Sequence, residues 1–285
     1  MKASLILATL GRTDDVGILI RSLVTQSDRR FELLVVDQNT DDRLLRFIHE
    51  GQASGLDITH LRLDRPSLSG ARNLGLAHAT GDVVAFPDDD CWYEKDTIKA
   101  MLQAFSEDST CDGIIGQWVE QALAQNHRPS PEQLSSQAWR RFRGGNASSI
   151  TLFIKRALLV RLGGFDERFG VGRWYGAGEE TDFILRALSS GATLISRPDI
   201  RVHHRFSTTS ATRLLEDCGN TRKRARGTGG LYAKHRLAPW VVIRGLIAPV
   251  ITPLTKGDIR NAIRGCFVSL GRTEGFINWR MKETS

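Results

Sequence analysis

Along the first part of the chain, short apolar runs alternate with stretches of helical spacing. Ser4–Ala8 is a continuous apolar run and reads as a buried strand. Thr13–Gln26 places Val16, Leu19, Ile20 and Leu23 at helical spacing. Phe31–Val36 is a second strand ending at Asp37, and Asp41–Glu50 is a helix with Leu44, Leu45 and Ile48 on one side. Ile58–Leu63 alternates as a strand, Ser69–Ala79 reads as a helix with Ser69 as its N-cap, and Val83–Phe86 is a short buried strand. Strands and helices that alternate at this pace predict an α/β fold with a mostly parallel sheet covered by helices. Ligands bind such sheets beyond the C-terminal ends of the strands. That rule selects Thr9–Arg12, Asp37–Thr40 and Asp88–Asp90, all polar.

The pattern then becomes less regular. Glu94–Phe105 reads as a helix, Gly113–Val119 as a strand, and the proline-containing Gln121–Pro131 as a loop. Ser149–Ile154, Ala192–Ser196 and Ile200–His203 read as strands, and Glu179–Leu188 as a helix behind a glycine-rich segment. From Thr212 onward the chain is helical and basic in character, with no internal repeat.

Composition changes this picture mainly at the C-terminal end. The 285 residues are 41% hydrophobic and 25% charged, an ordinary globular balance. Residues 1–200 carry 23 Lys and Arg against 27 Asp and Glu, whereas residues 201–285 carry 16 against 5. A mildly acidic body with a basic tail points to an anionic partner for the tail. Cys91, Cys111, Cys218 and Cys266 match no zinc spacing, and scattered thiols suggest a reducing compartment. The N-terminal apolar run stops at Gly11-Arg12-Thr13-Asp14-Asp15 and suits a first strand better than a leader. Leu237–Leu254 is the most membrane-like stretch, but Arg244, Pro239, Pro249 and Pro253 interrupt it. It fits an interfacial segment better than a span.

Four clusters could carry chemistry. Asp88, Asp89 and Asp90 repel one another unless they are solvated or neutralised, and a hard divalent cation with substrate phosphates is the chemistry such a triplet suits. Alternation in extended backbone puts Asp88 and Asp90 on one face. In Gly178-Glu179-Glu180-Thr181-Asp182, position 180 shares a helical face with Phe183, Ile184 and Ala187, and an inward acid of this kind suits a general base. The competing reading is a helix N-terminus, where acids meet the macrodipole, and Glu179 and Asp182 stay open as alternative bases. His203-His204 ends a strand, so the rings face opposite sides and one is a candidate metal ligand. Arg72 and Asn73 open a helix; Arg72 suits a bidentate phosphate contact or a surface salt bridge.

Taken in order, these residues resemble the family 2 glycosyltransferases, which have the GT-A fold. Ala8-Thr9-Leu10-Gly11-Arg12, Leu34-Val35-Val36-Asp37-Gln38-Asn39-Thr40, Ala71-Arg72-Asn73-Leu74-Gly75 and Phe86-Pro87-Asp88-Asp89-Asp90 carry the likeness. Gly163-Gly164-Phe165-Asp166-Glu167 and Gly178-Glu179-Glu180-Thr181-Asp182-Phe183 are similar to that family's acceptor-side motifs, so the likeness covers about residues 3–205. The resemblance implies a Rossmann-like nucleotide-binding half with a mixed central sheet flanked by helices, plus a basic helical C-terminal extension. It implies a division at 1–205, with a nucleotide-sugar half over 1–105 and an acceptor half over 106–205, followed by 206–285 as an acceptor or membrane-surface segment. By the same likeness Thr9 and Asp37 contact base and ribose, Arg72 lies near base or diphosphate, and Asp88 and Asp89 bind the nucleotide-sugar. Asp88 and Asp90 match the ends of the family's D-x-D motif, with Asp90, Asp88 and His204 as ligands of Mn²⁺ or Mg²⁺. Glu180 falls where the family's Glu-Asp motif usually places its catalytic aspartate, which makes the base one methylene longer. Trp139, Asn146 and Trp174 are assigned to the acceptor side. The second-strand motif departs from the family's Asp-Asp-Gly-Ser, keeping only its first acid.

The implied activity is inverting transfer of a sugar, from UDP by family precedent, to a hydroxyl of a glycan or lipid-linked acceptor in polysaccharide or glycoconjugate synthesis. Two other readings compete. A nucleotidyltransferase making nucleotide-sugars normally has a longer glycine-rich basic loop than Leu10-Gly11-Arg12-Thr13. A nucleic-acid-binding protein fits the basic tail but not the acidic body, and no nucleic-acid partner is expected. The expected location is cytoplasmic and peripheral on the inner face of the membrane, with an anionic lipid surface as a partner of residues 206–285.

Overall fold

The computed structural model describes residues 1–119, 131–143, 148–205 and 214–283. The expected loop up to residue 130 lies outside them, as does Asn146. The chain forms two compact units.

The first unit carries nine strands among the described residues, in one mixed sheet. The strands are β1 (Ala3–Thr9), β2 (Phe31–Asp37), β3 (Ile58–Arg62), β4 (Val83–Ala85), β5 (Cys91–Tyr93), β6 (Gly113–Val119), β7 (Glu132–Gln133), β8 (Leu152–Lys155) and β9 (Leu194–His204). Their order is β3-β2-β1-β4-β8-β6-β9-β5, with β7 beside β9. β3, β2, β1 and β4 are parallel, and β8 pairs antiparallel with both β4 and β6. Burial of the apolar positions on both faces of β1 and β2 explains their unbroken runs. Helices α1 (Asp14–Val24), α2 (Leu45–Ala53), α3 (Leu68–His78) and α4 (Thr97–Glu107) complete the crossovers. Asp14 and Asp15 stand in the first turn of α1, where carboxylates meet the positive end of the helix.

Several boundaries differ from the sequence expectation. The N-cap of α3 is Ser67, whose hydroxyl accepts from Gly70 N at 3.0 Å; Ser69 is buried inside the helix. α2 starts four residues late, and the strand expected at Ser149 begins at Leu152 after a short 3₁₀ turn. The two strands expected over 192–203 are one strand, β9. Its register along β6 shifts between Ile115 and Gln117, where Pro198, lacking an N–H, sits in the unpaired stretch. β5 was not anticipated, because three residues are too few to show a period.

The second unit is helical. It contains α5 (Ser136–Arg140), the first part of α7 (Glu179–Ser189), α8 (Leu214–Lys234), α9 (Pro239–Leu254) and α10 (Ile259–Glu283), while the short α6 (Arg156–Arg161) belongs to the first unit. Compactness does not follow a linear cut at 205. Residues 166–185 group with the C-terminal helices, held there by Lys234 Nζ, which reaches Asp166 at 2.7 Å and Asp182 at 2.6 Å. α8 and α10 approach closely through glycines: a Cβ on Gly229 would collide with the Arg272 carbonyl, and one on Gly275 with that of Arg226. Among the described residues no helix is long and apolar enough to cross a membrane.

Candidate functional site

The ends of β1 and β2 lie side by side, Thr9 paired with Asp37. Asp37 is fully buried and already busy. Oδ1 accepts from Asn39 N at 2.9 Å and Asn39 Nδ2 at 2.8 Å, and Oδ2 faces His60 Nε2 at 3.0 Å and Arg62 Nη1 at 3.2 Å. Asn39 in turn accepts from Gly11 N at 2.7 Å, and Gln38 Oε1 accepts from Ser67 N at 2.7 Å. Gln38 and Asn39, which replace the family's usual second acid and glycine, thus tie together the loops after β1 and β2 and the start of α3.

The acidic triplet follows β4 and stands at the same sheet edge. Cys91 N donates to the Asp88 carbonyl at 3.3 Å, so residues 88–91 form a turn. The extended backbone expected here is absent, and the three carboxylates take different partners. Asp88 meets Arg72 Nη2 at 3.4 Å and Ser149 Oγ at 3.4 Å. Asp89 Oδ2 accepts from Thr9 Oγ1 at 2.8 Å. Asp90 is bracketed by Arg12 Nη2 and His204 Nε2, each at 2.8 Å.

These environments separate the acids electrostatically. Burial pushes the Asp89 carboxyl up to about 6, against the Thr9 hydrogen bond and the Arg12 charge. Burial also raises Asp90, but the hydrogen bond and charge of His204 and the charge of Arg12 outweigh it and hold Asp90 below the usual range. His204 is raised by its hydrogen bond to Asp90, with desolvation opposing. The other histidine of the pair, His203, turns to Glu94 at 2.7 Å and stacks on Trp92.

Arg72 is buried, not a surface ion-pair residue. It is 2% exposed, with its guanidinium 5.4 Å from the Phe165 ring centroid and 6.0 Å from that of Phe86. Arg12 lay in the segment selected after β1 but was given no role of its own there. It reaches Asp15 at 2.9 Å, Asp90 at 2.8 Å and Asp89 at 3.7 Å, making it the main counter-ion of the cluster. The only sequence signal was its place as the first cation after β1.

Among the described residues no three His, Cys, Asp or Glu side chains gather into a metal-binding group. Two donors nevertheless stand ready. Asp90 Oδ1 and His204 Nε2 are 2.8 Å apart, against about 3.0 Å for neighbouring ligands of an octahedral ion bound at about 2.1 Å. An oxygen and a nitrogen at that spacing fit an ion that takes its remaining ligands from phosphates and water. Asp88 meets Arg72 and Ser149, at 3.4 Å each, rather than this pair.

In the second unit, the inward stripe of α7 was expected at Glu180. Glu180 is half-buried instead, while Glu179 is 3% and Asp182 0% exposed. All of Phe183, Ile184, Leu185 and Ala187 are buried, so the covered face is wider than the three positions used to place it. Asp182 takes Lys234 at 2.6 Å and His235 Nε2 at 2.9 Å, which ties it up as a structural anion. Glu179 and Glu180 also have polar or charged partners. Trp139 is buried at 4% exposure, and Trp174 is 42% exposed, edge-on to Tyr175 and 4.8 Å beneath the Arg226 guanidinium.

The sequence model described as glycosyl transferase family 2 matches residues 4–161, more than half of the chain. The chain belongs to glycosyl transferase family 2. A glucosyl-dolichyl phosphate glucuronosyltransferase of Haloferax volcanii is 23% identical over 218 residues, 72% of this chain and 70% of that protein. The poly(ribitol-phosphate) β-N-acetylglucosaminyltransferase TarS of Staphylococcus aureus is 27% identical over 146 residues, 48% of this chain but 25% of TarS. The glycosyltransferase GlyA of Streptococcus pneumoniae is 29% identical over 86 residues, 30% of this chain and 12% of GlyA. The match to these last two spans a quarter or less of their length.

Solved structures share the fold. TarS residues 1–349 in complex with UDP-GlcNAc superimpose with TM-score 0.63 at 16% identity, covering 99% of this chain and 92% of that one. The mannosyltransferase PcManGT of Pyrobaculum calidifontis, in complex with GDP-Man and Mn²⁺, gives 0.62 at 17% identity, covering 98% and 73%. The family 2 chain described here is therefore a mixed α/β protein of GT-A type with a helical C-terminal part.

Proposed function

We propose that this chain transfers a sugar from a nucleotide-sugar, with UDP as the nucleotide, to an acceptor hydroxyl with inversion at the anomeric carbon. The observation that carries the reading is the Thr9–Asp89, Arg12–Asp90–His204 cluster at the C-terminal edge of parallel strands, in a chain of this family. TarS with UDP-GlcNAc supports UDP, and PcManGT with Mn²⁺ supports a divalent cation.

Asp90 and His204 are the proposed ligands of Mn²⁺ or Mg²⁺, with Asp88 the weaker third candidate. When bound, such an ion neutralises negative charge on the leaving diphosphate. Arg12 and Arg72 add fixed positive charge without proton bookkeeping. Asp37 and Thr9 shape the nucleoside end, Asp37 by fixing the Asn39, His60 and Arg62 side chains. Glu180 accepts the proton of the acceptor hydroxyl as its oxygen bonds to the anomeric carbon and the carbon–oxygen bond to the diphosphate breaks. Glu180 is preferred over Asp182, whose carboxylate is ion-paired with Lys234 and in contact with His235 Nε2; Glu179 is the remaining alternative.

Residues 1–105 supply the donor half, 106–205 the acceptor half, and 206–285 an acceptor or membrane-surface segment, at the inner face of the cell membrane. The acceptor class is a glycan or lipid-linked sugar, as the names of the Haloferax and Staphylococcus relatives suggest. Trp174 is the accessible aromatic on that side; Trp139 is the buried one.

The test is thermal stabilisation by nucleoside diphosphates and nucleotide-sugars with and without Mn²⁺, followed by product analysis. Stabilisation by a nucleotide-sugar and release of nucleoside diphosphate support the reading. Release of pyrophosphate would assign the chain to nucleotide-sugar synthesis instead.

A further inference from the structure

α9 and α10 present apolar stripes to the outside of the second unit. On α9 these are Trp240, Ile243, Ile247, Ile251 and Leu254, between 47% and 56% exposed. At helical pitch they fall within about 80° of one another. On α10 the exposed large apolar residues are Ile259, Ile263, Leu270, Ile277 and Met281, again on one face. The opposite face of α10 is buried, through Ala262, Gly265, Gly271, Gly275 and Trp279. A soluble helix normally turns such a stripe to the core.

Charge says what covers it. Between Pro239 and Gly271 the chain carries Arg244, Lys256, Arg260 and Arg264 against Asp258, and Arg264 is already paired with Asp217 of α8 at 3.1 Å, which leaves Arg244, Lys256 and Arg260. Asp258 is engaged locally, accepting from Asn261 N at 3.0 Å at the start of α10. A second copy of this surface would bring like charge against like charge. An anionic phospholipid layer would neutralise it. Trp240 heads the α9 stripe with the Arg141 and Arg244 guanidinium carbons 5.9 and 5.3 Å from its ring centroid, an aromatic and cation pairing suited to a headgroup boundary. At the α9–α10 turn an open cavity of about 460 Å³ is lined by Lys256, Asn261 and Thr252, together with Asp258 and the Asp217-paired Arg264.

We infer that α9 and α10 dock in the plane of an anionic phospholipid surface, with their apolar stripes in the acyl boundary and Arg244, Lys256 and Arg260 at the phosphates. α9 has 16 residues and no span is present among the described helices, so this segment lies on a bilayer. The inference deepens the membrane partner proposed above, and its test needs no donor, metal or acceptor.

The test is co-sedimentation of the full chain with vesicles of phosphatidylcholine alone, or of phosphatidylcholine mixed with phosphatidylglycerol. Wild type is expected to bind the mixed vesicles, with affinity falling as salt rises. The paired change Ile247→Asp and Ile251→Asp is expected to lose more than about tenfold in binding. Lys256→Glu and Arg260→Glu are each expected to lose at least about fivefold. Thermal stabilisation by nucleotide-sugar should be unaltered in all of them, which separates this failure from failure of the donor reading. As a check that needs no destabilising change, brominated phosphatidylglycerol should quench wild-type tryptophan fluorescence more than that of Trp240→Phe. Equal binding to neutral and anionic vesicles, or no differential quenching, overturns the inference. So does a wild-type dimer that the stripe change dissociates while vesicles are ignored, which would make the stripe a contact between copies.

Discussion

His204 Nε2 lies 2.8 Å from Asp90 Oδ1, and strand pairing puts it there: Cys91 faces His204 across the antiparallel β5–β9 ladder. Residues far apart in sequence become neighbours because the turn at 88–91 runs directly into β5. Asp90 then has one oxygen on an imidazole and the other on Arg12.

Replacing His204 with Ala should lower the affinity for Mn²⁺-supported nucleotide-sugar by at least about tenfold, and Asp90→Asn by more, with the metal-free thermal midpoint little changed. Calorimetry with and without Mn²⁺ measures it. Identical metal dependence in wild type and both variants would remove these residues from the metal role.

Glu180→Gln should reduce turnover by at least about a hundredfold, the scale of a lost general base, and leave nucleotide-sugar binding unchanged. Asp182→Asn is expected to behave differently, since Lys234 and His235 lose their shared anion and the second unit is destabilised. Comparing turnover with the thermal midpoint for both variants distinguishes a proton acceptor from a structural ion. Near-normal turnover in Glu180→Gln would shift the assignment to Glu179.

Stability in acid should depend on Glu32. This β2 residue opposes Ser4 of β1 and accepts from Lys2 Nζ at 2.8 Å, Ser4 Oγ at 2.5 Å and Thr80 N at 2.7 Å. Burial raises its carboxyl, but these hydrogen bonds prevail and bring it from 4.5 to about 2. A folded value below the unfolded one means stabilisation that is complete above about pH 4.5 and drains away as pH falls toward 2. The amount is about 3 kcal/mol. Urea midpoints between neutral pH and pH 2 should converge for wild type and Glu32→Gln; a constant gap across that range would contradict the linkage.

Gly275→Leu should destabilise the helical unit by about 1–3 kcal/mol, because any Cβ there meets the Arg226 carbonyl on α8. An exposed control on the same helix, Thr273→Ala, should stay within about 0.5 kcal/mol of wild type. Thermal melts that fail to separate the two would argue against this α8–α10 packing.

Much of the first unit was legible because burial on both faces writes itself into a strand as an unbroken apolar run. β1 and β2 were read nearly to their ends for that reason. β5 was invisible, since Cys91–Tyr93 carries no period, yet it aligns His204 with Asp90. Asp88–Asp90 was legible as a cluster, but not its division of labour. In the structure Asp89 is bound by Thr9 and raised toward neutrality, a pairing and a burial that the triplet's place in the sequence does not show. Arg12 contacts Asp90 across 78 residues, a relationship no local pattern encodes.

The sequence by itself determined the alternation of strand and helix, the polar edge where Thr9, Asp37 and the acidic triplet gather, and the basic excess of the tail. These are properties of neighbours along the chain: hydrophobic period, strand ends and net charge. Only the tertiary structure decided that Asp90 faces His204 and Arg12, that Arg72 is buried against Phe86 and Phe165, that Lys234 and His235 claim Asp182, and that the tail's apolar stripes face outward. Each of those depends on which distant groups share a low-dielectric space, and burial and charge pairing are set by packing, not by order along the chain.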